Sequence, residues 1–148
     1  MIFKNGMAHS TTYRIFKTRS RTFFVSSLFF PAALREEVFT FYSFVRTADD
    51  FVDTIPPKRE EFFSFKQRFE DAYHKQARAN DPLIDEFVAL MHEREIPFAW
   101  IASFFAAMEA DLTKKTYTTL AELETYMYGS AEVIGLVMAK LMNLPSES

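Results

Sequence analysis

Along nearly the whole chain, apolar residues return every three or four positions with polar ones between them. This is the period of an amphipathic helix rather than the alternation of a half-buried strand. Proline and short polar runs cut the pattern into segments. A short helix is predicted after Ser10 and a second over Thr22 to Phe29. Pro31, well suited to a first helical turn, opens a long helix from Ala32 to about Thr54, which the Pro56-Pro57 pair stops. A charged helix carrying Phe62, Phe63, Phe65 and Phe69 runs from about Lys58 to Arg78, and the Ala79-Asn80-Asp81-Pro82 turn closes it. A shorter helix covers Leu83 to Glu93. Pro97 begins another, in which Phe98, Ile101, Phe105, Met108 and Leu112 keep the apolar spacing, and Thr113 to Thr118 form a polar connection. Thr119 followed by Glu122 fits a capping box, and from there the chain can stay helical to about Asn143, ahead of Pro145. No repeat, low-complexity stretch or linker interrupts the series, so the reading is one all-α unit.

Composition narrows the chemistry. A chain of 148 residues with 49% apolar and 25% charged residues is one globular domain with room for a proper core. Its net charge of -3 offers no footprint for nucleic acid. Cysteine is absent, which excludes disulfides and thiolate metal sites and leaves oxygen or imidazole as metal ligands. The N-terminal stretch lacks the pattern of a cleaved leader, and no apolar run is long enough to span a bilayer. The expectation is a cytoplasmic protein whose closest approach to a bilayer is peripheral contact with its inner face. Phenylalanine is the outlier: 18 copies against 3 glycines give much aromatic volume for a core or a cavity wall.

The most unusual stretch is RTADDFVD, residues 46–53. At about 100° per residue, Tyr42, Arg46, Asp49 and Asp53 share a narrow arc beside an apolar stripe of Phe41, Phe44, Val45, Ala48 and Val52, whereas Asp50 points toward solvent. Carboxylates at i and i+4 lie about 5–6 Å apart at Cβ and repel unless something positive stands between them. Mg²⁺ suits such a pair, because it takes one or two carboxylates and completes its shell with water and substrate phosphates. The alternative is a solvated acidic helix end, with Arg46 neutralising Asp49 or Asp50. An arc with an arginine and a tyrosine beside an apolar wall also fits a cleft for a charged head and a greasy tail. Of the three histidines, none has a partner at ligand spacing, and all are expected at the surface. Gly129, Ser130 and Gly135 are small residues within a predicted helix, which suits close helix packing or a cavity that needs room. Glu132, one turn after Tyr128, reads as an exposed charge or a partner of the acidic cluster, and not as catalytic.

The segment SRTFFVSSLFFPAALREEVFTFYSFVRTADDFVD resembles the opening of the squalene/phytoene synthase family, the head-to-head prenyl diphosphate synthases. EADLTKKTYTTLAELETY and YMYGSAEVIGLVMAKL resemble later segments of that family in the same order, so the likeness runs from about Thr11 over essentially the whole chain. It implies an isoprenoid-synthase-type helical bundle that condenses two prenyl diphosphates, phytoene-type coupling being the first choice. NADPH would be used only in squalene-type chemistry. By the resemblance, Asp49 and Asp53 are the Mg²⁺ ligands and, with Arg46 and Tyr128, the catalytic residues. Ser20, Arg21, Thr22, Tyr42 and Arg46 become substrate contacts, while Lys17 and Arg19 read as a basic surface turn. Phe23, Phe24, Phe41, Phe105 and Met108 are candidates for prenyl-tunnel walls, with core packing the better reading of each.

The family's second aspartate-rich helix has no counterpart here. Residues 1–148 therefore read as the N-terminal part of such a domain, truncated and inactive alone, which would form a homo-oligomer or associate with the missing C-terminal half. Two alternatives stay open. The acidic motif by itself also fits head-to-tail prenyl synthases and terpene cyclases, and the chain could be a non-enzymatic helical interaction module that keeps the fold.

Overall fold

The predicted breaks recur in the backbone. The computed structural model describes residues 29–113 and 116–144. In it α1 spans Ala32–Asp53, α2 Arg59–Lys75, α3 Pro82–Glu93 and α4 Phe98–Thr113. α5 (Leu120–Met127), a π-helical turn (Tyr128–Glu132) and α6 (Val133–Leu141) follow as one rod, with helical dihedrals at both junctions. The described residues contain no strand, so the chain is all-α as expected. The helix predicted after Ser10, and the one over Thr22 to Phe29 up to its last residue, lie outside the described residues; Phe29 itself is in an exposed turn.

Local chemistry sets the boundaries. α3 starts with Pro82, and the Asp81 carboxylate accepts from the Leu83 N–H at 3.1 Å. α2 ends at Lys75, three residues earlier than expected, with Gln76 in the left-handed region at φ 51°. The following segment is tied to α3 instead: the Ala79 N–H donates to Asp85 at 2.7 Å, and Arg68 of α2 meets Asp81 at 3.0 Å. Those tertiary bonds outweigh the good helix propensity of residues 76–78. At α5, Thr119 Oγ1 accepts from the Glu122 N–H at 3.1 Å, as a capping box requires. The Glu122 carboxylate closes the box one residue early, on the N–H and hydroxyl of Thr118 at 3.1 and 3.0 Å.

The core is a phenylalanine cluster centred on Phe44 of α1, which is fully buried. Its ring lies 4.1 Å from Phe87 of α3, 5.0 and 5.1 Å from Phe65 and Phe69 of α2, and 5.9 Å from Phe105 of α4. One side chain thus touches rings from every other helix of the four-helix bundle. Phe41, Phe105 and Met108 belong to this core, so packing, not a tunnel wall, is their role; Phe63 alone of the predicted α2 phenylalanines faces out. A bidentate ion pair between Glu37 of α1 and Arg94, just after α3, ties those two elements together at 2.6–3.1 Å. On α5 no residue is buried, and Leu120, Leu123 and Met127 are exposed.

The two described glycines differ in kind. At Gly129, in the π turn, a Cβ would lie 2.2 Å from the backbone oxygen of Ser103, so the rod and α4 touch main chain to main chain. At Gly135 a Cβ would meet nothing within 4 Å. Close packing therefore explains the first and not the second.

Phe44→Ala should cost about 3–5 kcal/mol in chemical denaturation, because it removes the shared ring and leaves a cavity. Gly129→Ala should lower the thermal midpoint, whereas Gly135→Ala should raise it, consistent with a gain of about 0.5–1 kcal/mol for an exposed helical site.

Candidate active site

α1 ends on its aspartates. Asp49, Asp50 and Asp53 lie in its last turns, where the helix dipole is negative, and no basic residue occupies the final turn. α4 repeats the arrangement, with Asp111 near its C-terminus and again no basic residue in the last turn. Each carboxylate is opposed both by its helix and by its neighbours. The fold then brings the two acidic ends close together: burial first, and the Asp53 charge after it, push the Asp111 carboxyl upward, against the lowering effect of its hydrogen bond from Tyr126. An arrangement of this kind is tolerable when a cation occupies the space between.

The chain supplies one cation itself. Arg46 donates to Asp49 at 2.7 Å and to Asp50 at 3.4 Å, so the helix-surface pairing weighed from the sequence is present. It relieves the cluster only in part: burial first, and Asp53 second, push the Asp49 carboxyl up to about 6 even with Arg46 alongside. Asp50, expected to face solvent, is half-buried, because the guanidinium reaches one turn on to it. Asp53 is the exposed member of the three.

Tyr126 of α5 completes the geometry. Its hydroxyl donates to Asp111 at 3.1 Å, and its ring lies 5.1 Å from Tyr117. Burial and the Asp111 carboxylate push it up to about 12, with smaller contributions from Tyr117 and Asp49, so it remains a protonated donor through the neutral range. Beside it opens a cavity of about 370 Å³, floored by Ser103, Ala106, Ala107 and Ala110 of α4 and walled by Tyr117, Thr125, Tyr126 and Tyr128. Small side chains make the floor and tyrosine hydroxyls the rim, where Glu122 supplies a carboxylate and Tyr126 links the cavity to Asp111. Such a cleft suits a ligand with an apolar body and an anionic end.

Of the residues singled out in the sequence, Asp49, Asp53 and Arg46 are brought together. Tyr42 is half-buried against the core on the same helix, and Tyr128 lines the cavity. Ser20, Arg21 and Thr22, with Lys17, Arg19, Phe23, Phe24 and His9, lie outside the described residues. His74 and His92 are exposed, as expected; His92 stacks on Tyr73, and His74 lies tilted against Phe98. Glu132 is exposed. Sequence reasoning missed Asp111 and Tyr126. The first had a signal, an acid in the last turn of an apolar helix; the second did not, because a continuous α-helix gives no means of choosing between Tyr126 and Tyr128.

Among the described residues, no three acidic or imidazole side chains form a ready-made metal cage. Asp49 and Asp53 provide the open arrangement instead, two carboxylates on successive turns with Asp53 accessible, which is the kind of site a hydrated Mg²⁺ occupies when phosphate oxygens fill the remaining positions. No described helix is long and apolar enough to cross a membrane.

The family model described as squalene/phytoene synthase matches residues 16–148. Phytoene synthase of Rhodobacter capsulatus is 29% identical over 133 residues, covering 88% of this chain and 39% of that protein. The 15-cis-phytoene synthase of a Synechocystis strain is 26% identical over 133 residues, covering 84% of this chain and 37% of that protein. The chain thus spans about two fifths of the length of these curated relatives. The crystal structure of squalene synthase HpnC from Alicyclobacillus acidocaldarius superposes with a TM-score of 0.79 at 22% identity, covering 95% of this chain and 53% of that one. That likeness shows the fold to be the helical one the sequence resemblance implied.

The Asp49 carboxyl should titrate in a carbon-13 NMR experiment with a midpoint near the value of about 6, and Asp53→Asn should lower it. Because the folded carboxyl holds its proton more tightly than the unfolded one at 3.8, this group supports folding at low pH. That support is lost as pH rises from about 4 through about 6. A midpoint below 4 would contradict the crowding described.

Proposed function

Because the chain belongs to the squalene/phytoene synthase family, we propose that it supplies the first acidic side of a Mg²⁺-dependent active site that joins two prenyl diphosphates head to head. The observation that carries this reading is the meeting of two helix C-termini, both acidic and both without a basic residue in the last turn, joined to an apolar cavity through the bond from Tyr126 to Asp111.

In this reading Asp49 and Asp53 hold the metal. Bound Mg²⁺ would draw charge from the departing diphosphate, which is its usual contribution to such a step. The protein's own groups do the rest. Arg46 holds Asp49 in place through the 2.7 Å contact, and its charge lowers the repulsion within the cluster. Tyr126, protonated through the neutral range, presents a hydroxyl held by Asp111 at the cavity edge. The alanine floor and the tyrosine walls limit the access of water to an allylic cation; its capture by the double bond of the second substrate, with loss of a proton, gives a cyclopropylcarbinyl diphosphate, which rearranges as its own diphosphate leaves and a further proton is lost. Phytoene-type coupling is favoured, since the two curated relatives compared carry that name, and it uses no NADPH. Opposing metal ligands from a further helix would complete the shell, so the residues described here account for substrate binding more than for turnover.

Titration of this chain with a prenyl diphosphate should show binding that depends on Mg²⁺. Asp49→Ala combined with Asp53→Ala should weaken it by about tenfold or more, since charge-assisted contacts are worth about 1.5–3 kcal/mol each. Binding that ignores both Mg²⁺ and the double substitution would favour a helical interaction module. In a protein of the relatives' full length, a cyclised product from one substrate would point instead to terpene-cyclase chemistry.

A further inference from the structure

The two acidic helix ends are not in register by chance of packing, because a third element holds both of them. The backbone N–H of Lys58, the residue before α2, donates to the Phe51 carbonyl in the last turn of α1 at 2.8 Å. The next residue, Arg59, sends its guanidinium across to the Leu112 carbonyl at 2.5 Å, in the last turn of α4. Phe51 lies between Asp49 and Asp53, and Leu112 follows Asp111 directly. A single dipeptide thus grips main-chain carbonyls beside both acidic clusters. Two turns further along α2, Lys66 meets Glu109 of α4 at 2.8 Å and keeps α2 alongside that last stretch.

The Leu112 carbonyl is one of the four that an α-helix leaves without an internal partner, so a side-chain donor there satisfies a real need. A guanidinium also places a positive charge at the negative end of the α4 dipole, in the turn where Asp111 worsens that end. Arginine suits the task because its planar fork keeps a fixed direction at the end of a long stem. Its charge is spent on the main chain rather than on a carboxylate: neither Asp53 nor Asp111 has an ion pair with it among the described residues, so the acids stay available.

We propose that Arg59 is a positioning residue that sets the spacing between the helix end bearing Asp49 and Asp53 and the helix end bearing Asp111. The proposal rests on the reading of that cluster as the metal-diphosphate site. Without the guanidinium, the last turn of α4 is free to fray, and Asp111 with its Tyr126 contact moves relative to α1. Arg59 itself donates to the main chain and acts on the site through the end of α4.

The test uses two readouts, one of them independent of metal. Since the chain has no cysteine, Ile55→Cys and Thr113→Cys allow spin labels to be attached at exposed positions beside the two helix ends. Pulsed electron resonance then reports their separation. Arg59→Ala should broaden the distance distribution, and Arg59→Lys, which keeps a cation near the carbonyl, should restore most of the sharpness. In parallel, Mn²⁺ with inorganic diphosphate should bind the unlabelled Arg59→Ala protein about tenfold more weakly than the parent, with partial recovery in Arg59→Lys. Arg68→Ala, which breaks the Arg68–Asp81 pair, is a control for lost stability and should change neither readout. An unchanged distance distribution in Arg59→Ala overturns the proposal, whatever the ion does. A broadened distribution with parent-like Mn²⁺ affinity overturns it too, because the spacing would then not matter to the site. Failure of the parent protein itself to bind Mn²⁺ with diphosphate would instead remove the functional reading on which the proposal is built.

Discussion

The structure depends on one ring. Phe44 contacts phenylalanines from α2, α3 and α4, so the positions of three helices relative to α1 are set by a single fully buried side chain and its neighbours. Aromatic groups at 4–6 Å prefer offset or tilted arrangements, and the cluster adopts these throughout, which makes the packing directional as well as apolar. Phe44 lies five residues before Asp49 on the same helix. The aspartates therefore inherit the rigidity of the core while remaining outside it.

That arrangement explains how the chain tolerates its electrostatics. Four carboxylates at two helix C-termini oppose both dipoles, and Arg46 offsets only part of the repulsion. A loosely held helix end would relieve the strain by fraying. Here the last turn of α1 is anchored by Val52 in the core and by the Lys58 N–H, and the last turn of α4 by Leu112 and Arg59. Packing and capping hold a charge distribution that local preference would disperse, as active sites commonly require.

Much of the fold was legible because prolines and caps mark it. Pro31, Pro56-Pro57, Pro82 and Thr119 fall at helix boundaries in the structure, and the apolar spacing of α4 identified Ile101, Phe105, Met108 and Leu112 of its buried face while missing Phe104 and Ala107 and including the partly buried Phe98. The end of α2 was not legible, since the bond from Asp85 back to the Ala79 N–H and the Asp81 pair with Arg68 of α2 override the propensity of residues 76–78. At the site, the grouping of Arg46, Asp49 and Asp53 followed from helical geometry alone. Asp111 required knowledge of which helix ends meet. Tyr126 required the phase of the last rod, which its local sequence does not disclose.

That phase is controlled by the π turn at Tyr128–Glu132. In an uninterrupted α-helix, Tyr126, Val133 and Val137 would fall on nearly the same side, seven and eleven residues apart at about 100° each. The wider turn lets Val133 and Val137 remain buried while Tyr126 reaches toward Asp111. A π turn behaves as one extra residue threaded into a helix. The hydroxyl at the cavity edge and the valines in the core are therefore set by separate halves of the same rod. A change of one residue in the length of that turn would rotate one half against the other and re-aim the tyrosine, at the expense of the main-chain contact that Gly129 makes there with Ser103.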